Sequence, residues 1–161
     1  KKYLDNSNVD YFENDAIFRP KIENSNISFV SYNEFSEDSP EKISQTIKEE
    51  KNNSRTVIVY AHWGEEYEPT PERVKRLAHS FIDAGADLVA GSHPHIIQKS
   101  EIYKGRFIYY SLGNFIFDQY WDKEVSTGLV LEVNIKNENI FIIEHRVSLN
   151  KDGRTCLVNQ E

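Results

Sequence analysis

Hydrophobic and polar positions change rhythm several times along this chain. Residues 1–26 are polar and irregular, rich in Asn, Asp and Lys, and predict no element. Ile27-Ser28-Phe29-Val30-Ser31-Tyr32 then alternates with the period of a strand. Ser39-Pro40-Glu41 predicts a helix start, with Ser as N-cap and Pro in the first turn, and the helix runs to about Lys51, where Asn52-Asn53 should break it. Thr56 to Ala61 is β-branched and continuously apolar, which predicts a buried strand. A second helix starts at Thr70-Pro71-Glu72, places Val74, Leu77, Ala78, Phe81 and Ile82 on one face, and ends at Gly85. Asp87 to Ala90 reads as a short buried strand.

Beyond that point the helical period disappears. Glu101 to Tyr103, a Lys104-Gly105 turn and Arg106 to Tyr110 predict a hairpin. Ser111-Leu112-Gly113-Asn114 interrupts the run before Phe115-Ile116-Phe117. Leu129, Leu131, Val133 and Ile135 alternate with polar residues, and Asn137-Glu138-Asn139 turns the chain into a strand from Ile140 to Val147. The last ten residues carry little pattern. The first half therefore reads strand–helix–strand–helix–strand and the second half antiparallel β. This is an α/β chain without repeat or linker, one domain or part of one.

The 161 residues include nine Tyr, nine Phe and two Trp, enough aromatic mass for a core. A net charge of −7 opposes general nucleic-acid binding, which needs a basic stripe, and opposes docking on anionic lipid by charge. With Cys156 as the single cysteine, neither an intrachain disulfide nor a cysteine-based zinc site is possible. No apolar run approaches the ~20 residues of a membrane span. There is no methionine, even at position 1, and the chain reads as an excised piece.

The candidate chemistry is histidine. His62 follows one buried strand, and His93 and His95 follow the next. In a βαβ unit the strands are parallel, so both C-terminal ends lie on one sheet edge, where ligands bind. Neutral imidazole suits Zn, Mn, Fe or Ni. Gly91 allows a sharp turn after the strand and Pro94 stiffens the link between the two histidines, whose rings could serve one metal or two adjacent ones. A lone histidine after a strand is usually structural; three of five at two matching strand ends is a stronger pattern. His79, on a helix, and His145, in a late strand, read as ordinary.

HWGEEY at 62–67, LAHSFIDAGADLVAGSHPHIIQ at 77–98 and IYKGRFIYYSLGNFIFD at 102–118 together resemble the bacterial capsule synthesis (CapA/PgsA, or PGA_cap) family of poly-γ-glutamate biosynthesis, within the calcineurin-like metallophosphatase superfamily. The resemblance covers about residues 27–135. It implies the later half of a four-layer α/β/β/α sandwich, with residues 1–161 forming the C-terminal part of a single domain. It also implies a dinuclear centre of Mn, Zn, Fe or Mg for metal-assisted hydrolysis or group transfer, with His62, His93 and His95 as ligands. Asn114, in the Gly-Asn-Phe segment, is assigned to substrate contact or ligand ordering, with a turn cap as the structural alternative. Glu66 matches the acidic position of its motif, or holds a ligand histidine in its tautomer.

The superfamily's Gly-Asp strand end and Asn-His turn do not occur here. Three neutral histidines cannot balance two divalent cations, so the chain alone should hold metal weakly and have little activity. Without the preceding strands its sheet edge should be open to homo-oligomeric pairing. The expected substrate is capsule polymer or a phosphoester. The expected setting is bacterial, with the parent protein either membrane-anchored and extracellular or cytoplasmic. A non-catalytic part of a polymer synthesis or export assembly, with a vestigial metal pocket, is the alternative.

Overall fold

The computed structural model describes residues 17–20, 26–37, 39–53, 56–136 and 139–158. Six strands form the main sheet: β1 (Ile17–Phe18), β2 (Ile27–Asn33), β3 (Thr56–His62), β4 (Leu88–Ser92), β5 (Ser100–Tyr103) and β6 (Arg106–Tyr109), in the spatial order β1-β2-β3-β4-β6-β5. Helix α1 (Pro40–Asn53) connects β2 to β3, and α2 (Glu72–Ala84) connects β3 to β4. A second sheet, β7 (Thr127–Lys136), β8 (Asn139–Leu149) and β9 (Thr155–Leu157), is antiparallel.

The predicted helices form where their caps allow. The Ser39 hydroxyl accepts the Lys42 N–H at 3.2 Å, a helix N-cap. Helix α1 ends at Asn53, two residues beyond the expected Lys51: the Asn53 side chain donates to the Glu49 carbonyl at 3.0 Å, and its own carbonyl accepts from Asn26, outside the helix, at 2.8 Å. Gly85 closes α2 at φ 118°, a left-handed conformation that glycine adopts without steric cost.

Two local expectations shift. The strand predicted from Asp87 begins at Leu88 and runs to Ser92. Asp87 is instead a buried anchor whose carboxylate accepts the Val57 N–H at 2.9 Å and pairs with Lys51 at 2.6 Å and Arg106 at 3.1 Å. The hairpin forms as predicted, but β6 joins the parallel sheet beside β4 rather than starting an antiparallel half. Burial explains this: Ile108 of β6 is fully buried, so the apolar strand takes the inner position and β5, with Ile102 65% exposed, takes the edge. β1 and β9 arise in stretches where no element was predicted, and β1 covers two residues of the β2 edge.

Apolar residues leave each face of the main sheet. Val30, Val57, Val59 and Val89 meet Ile43, Ile47, Val74, Ala78 and Phe81 of the helices. On the opposite face Ile58, Leu88 and Tyr109 meet Leu131, Val133, Ile140 and Ile142 of the second sheet. The described layers are thus helix, sheet, sheet. Among the described residues no helix is long and apolar enough to cross a membrane.

Parallel register positions the candidate chemistry. Asn33 pairs with His62, and His62 with Ser92, so β2, β3 and β4 end level on one edge. The segments 34–35, 62–67 and 92–95 emerge there side by side.

Candidate metal centre

The turn after β4 depends on a missing side chain. A Cβ at Gly91 would lie 2.1 Å from the Tyr110 carbonyl oxygen and 2.5 Å from Nε1 of Trp63. That space is needed because the buried Trp63 indole donates to the same Tyr110 carbonyl at 2.9 Å. The Trp63 N–H donates to the Ser92 carbonyl and the Tyr67 N–H to the Pro94 carbonyl, tying the 62–67 segment to the Ser92–His95 turn. Glu34 braces the same segment: its carboxylate accepts the Gly64 N–H at 2.8 Å and pairs with Arg73, which also holds Glu65.

Backbone strain gathers here. Tyr67, His93 and His95 have φ of 63°, 100° and 61° without being glycine. Such conformations cost on the order of 1–3 kcal/mol each and persist where surrounding contacts impose them. The two Tyr67–Pro94 and Trp63–Ser92 backbone bonds are such contacts.

The side chains then converge. Ligating atoms of Glu66, His93 and His95 all lie within 4.8 Å of one another. The His95 Nε2 to Glu66 Oε1 distance is 3.9 Å, too long for a hydrogen bond. The His62 ring centroid is 4.7 Å from that of His93, and His93 is 5.9 Å from His95. Burial lowers the His62 pKa, and the neighbouring His93 and His95 lower it further. His62 is thereby held neutral, the state in which imidazole binds a metal. Phe35 lies against both His93 and His62, at 4.7 and 5.8 Å between centroids.

Asn114 has both side-chain polar atoms engaged inside the protein. Its Nδ2 donates to the Val125 carbonyl at 2.8 Å and to Gln119 Oε1 at 3.3 Å, which turns Oδ1 toward His95 Nδ1 at 2.8 Å. His95 therefore carries its proton on Nδ1 and directs the Nε2 lone pair toward Glu66 and His93. Hard and borderline divalent ions take such mixed imidazole and carboxylate sets, so these residues fit a metal by donor chemistry and spacing.

Of the residues picked out in the sequence, Glu66, His93 and His95 form one cluster, His62 stands next to His93, and Asn114 touches His95 from behind. His79 pairs with Glu101 at 2.9 Å and stacks on Tyr103, and His145 pairs with Glu132 at 3.0 Å; both lie outside the cluster. Sequence reading missed Glu34, Phe35 and Gln119. Glu34 and Phe35 follow β2, whose end lies level with those of β3 and β4, so the edge argument could have found them. Gln119 carries no local signal.

Residues 5–119 match the family described as bacterial capsule synthesis protein PGA_cap. The chain is 45% identical over 92 residues to the PGA biosynthesis protein CapA of Bacillus subtilis, and 46% identical over 90 residues to the capsule biosynthesis protein CapA of Bacillus anthracis. These alignments cover 56% and 55% of this chain but 24% and 22% of the relatives. A probable polyglutamine synthesis accessory protein of Mycobacterium tuberculosis is 34% identical over 83 residues, 50% of this chain and 22% of that protein. The chain thus spans well under half the length of the curated relatives it matches. With the family match extending over the strand ends, the HWGEEY segment and the Gly-Asn-Phe turn, the chain belongs to the bacterial capsule synthesis protein family PGA_cap.

Proposed function

We propose that this chain is part of a metal-dependent, hydrolase-like protein of capsule or poly-γ-glutamate biosynthesis, and that it contributes ligands to the metal centre. The observation that carries this reading is the convergence of Glu66, His93 and His95, with the His62 ring 4.7 Å from that of His93. Glu66 acts as a ligand here rather than as a distant brace, because its carboxylate faces Nε2 of His95 across a gap suited to an ion. One carboxylate among these four side chains suits one divalent ion; a second ion, with His62 among its ligands, needs anionic groups from elsewhere. Zn, Mn or Fe matches the imidazoles better than Mg. A divalent ion held there would supply a Lewis acid for a phosphoryl or carbonyl oxygen of the substrate. Asn114 serves this centre by orienting His95, since a side chain 6% exposed with every polar atom bonded has nothing left for substrate.

We also assign the chain to the later part of one larger α/β/β/α metallophosphatase-like domain. Two facts support this. The relatives are several times longer than the stretch aligned. In addition, a cleft of about 600 Å³ between the two sheets is lined by Ile27, Phe29, Ile58, Leu131, Val133 and other apolar residues, a surface that a larger domain would cover.

The test is metal uptake. Metal-free chain titrated with Mn²⁺ or Zn²⁺ should bind about one ion, weakly, and His93→Ala should lower the affinity at least ~10-fold. A chain that takes up neither ion ends the reading. In the full-length protein, turnover of a phosphodiester that survives His93→Ala would remove the catalytic part alone.

A second reading, a non-catalytic component of polymer synthesis or export, is favoured by the description of the mycobacterial relative as an accessory protein. Polymer formation that continues after His62→Ala in a metal-free parent protein would select it.

A further inference from the structure

The contacts behind His95 extend one residue further than the ligand set needs. Gln119 is buried, at 7% exposure, in the irregular segment between the Gly-Asn-Phe turn and β7. Its Oε1 accepts from Asn114 Nδ2 at 3.3 Å, and its Nε2 donates to the Tyr67 hydroxyl at 2.7 Å. Asn114 grips His95 through Nδ1 at 2.8 Å, and the Tyr67 ring lies stacked on the same imidazole, 5.8 Å between centroids with 28° between planes. One side chain therefore joins the group that sets the proton position of His95 to one of the two rings that lie against it, the other being Phe117 at 4.8 Å between centroids.

The polarity of these bonds is determined, not arbitrary. The Val125 carbonyl can only accept, so it requires the Asn114 amide nitrogen on its side, and the Asn114 oxygen must face the imidazole. Gln119 then has to present its oxygen to Asn114, which leaves its nitrogen for Tyr67. Reversing Gln119 would set two N–H donors against each other. Burial makes such a mismatch costly, because water cannot reach the site to repair it.

We propose that Gln119 is a positioning residue of the metal centre: anchored on Asn114, whose orientation the Val125 carbonyl fixes, it tethers the Tyr67 ring against His95 and so holds the ring plane of that ligand. This rests on the reading of His95 as a ligand, but the coupling itself can be read without metal. Tyr67 is strained at φ 63° and 41% exposed, so its ring needs a tether to stay on His95. Gln119 supplies one from a segment that is 52 residues away along the chain.

The experiment compares Gln119→Leu with Gln119→Glu in the full chain. Glu keeps an acceptor for Asn114 and offers a second one to the Tyr67 hydroxyl; Leu removes both bonds. Nitrogen-15 spectra of metal-free protein in mildly alkaline buffer should show His95 protonated on Nδ1 in wild type and in Gln119→Glu. In Gln119→Leu the tautomer should persist, because the Val125 carbonyl still fixes the Asn114 amide, while the ring-current shift that Tyr67 imposes on His95 should change. Mn²⁺ affinity should fall about 10-fold in Gln119→Leu and recover in Gln119→Glu. A Leu variant that only melts earlier, with the His95 spectrum and Mn²⁺ affinity of wild type, overturns the proposal. If wild type binds no Mn²⁺, the metal reading fails by itself, and the spectra of metal-free protein alone decide the role of Gln119: an unchanged Tyr67 ring-current shift on His95 in Gln119→Leu refutes it.

Discussion

At the scale of single residues, close approach governs the site. Gly91 is held to glycine by the Tyr110 carbonyl and the Trp63 indole, neither of which can retreat: one is backbone and the other is fully buried. Gly91→Ala should therefore cost about 3 kcal/mol or more, in the upper range for overpacking, as measured by urea denaturation. Wild-type stability in that variant would show that the turn has room to spare. Trp63→Phe tests the other side of the same contact. It removes the buried donor to the Tyr110 carbonyl and part of the ring, and should cost roughly 1–3 kcal/mol from the stranded acceptor alone. Its calorimetric melting temperature should fall, and an unchanged value would mean that another donor reaches that carbonyl.

At the scale of elements, buried charge joins pieces that are remote in sequence. Glu50 of α1 is 3% exposed and meets Arg19, next to β1, and Ser28 of β2. Burial by itself would raise the Glu50 pKa, but the hydrogen bonds from Arg19 and Ser28 and the charge of Arg19 outweigh it, and the net direction is downward. A carboxyl depressed on folding stabilises the fold above its unfolded pKa, and that contribution disappears as pH falls through the folded value. Wild type should thus lose stability relative to Glu50→Gln as the buffer is acidified below the ordinary Glu range. Urea midpoints taken across acid pH would reveal this, and parallel curves for the two proteins would contradict it. The same interaction explains why β1 was invisible in the sequence: a two-residue strand has no period, and Arg19 gains its meaning only from a helix 31 residues away.

At the scale of the whole molecule, the two faces of the main sheet differ in completeness. The helical face is closed, with Ile47, Val57, Val59 and Phe81 all at 0% exposure. The opposite face is only partly covered by β7 and β8, and Tyr60 and Ile135 remain exposed in the lining of the cleft. Apolar surface of this extent binds hydrophobic dyes and drives association. The chain should take up such a dye saturably, and Val133→Glu, which places a charge in the cleft, should reduce the uptake. Absence of dye binding in wild type would argue that the cleft is closed in solution.

Much of this architecture was written locally. Period-two and continuous apolar runs specified β2, β3 and the hairpin, the Ser39 cap placed the start of α1, Pro71 marked the start of α2 and Gly85 its stop, because these signals depend on neighbours a few positions apart. The level strand ends, and hence the meeting of His62 with His93 and His95, followed from the handedness and parallel order of βαβ units. What no local pattern carried was pairing between distant side chains. The inner place of β6, the brace from Glu34, the convergence of Glu66 on His93 and His95, and the chain of bonds from Tyr67 through Gln119 and Asn114 to His95 exist only once packing has brought those segments together. Burial then decides which polar partners must find each other.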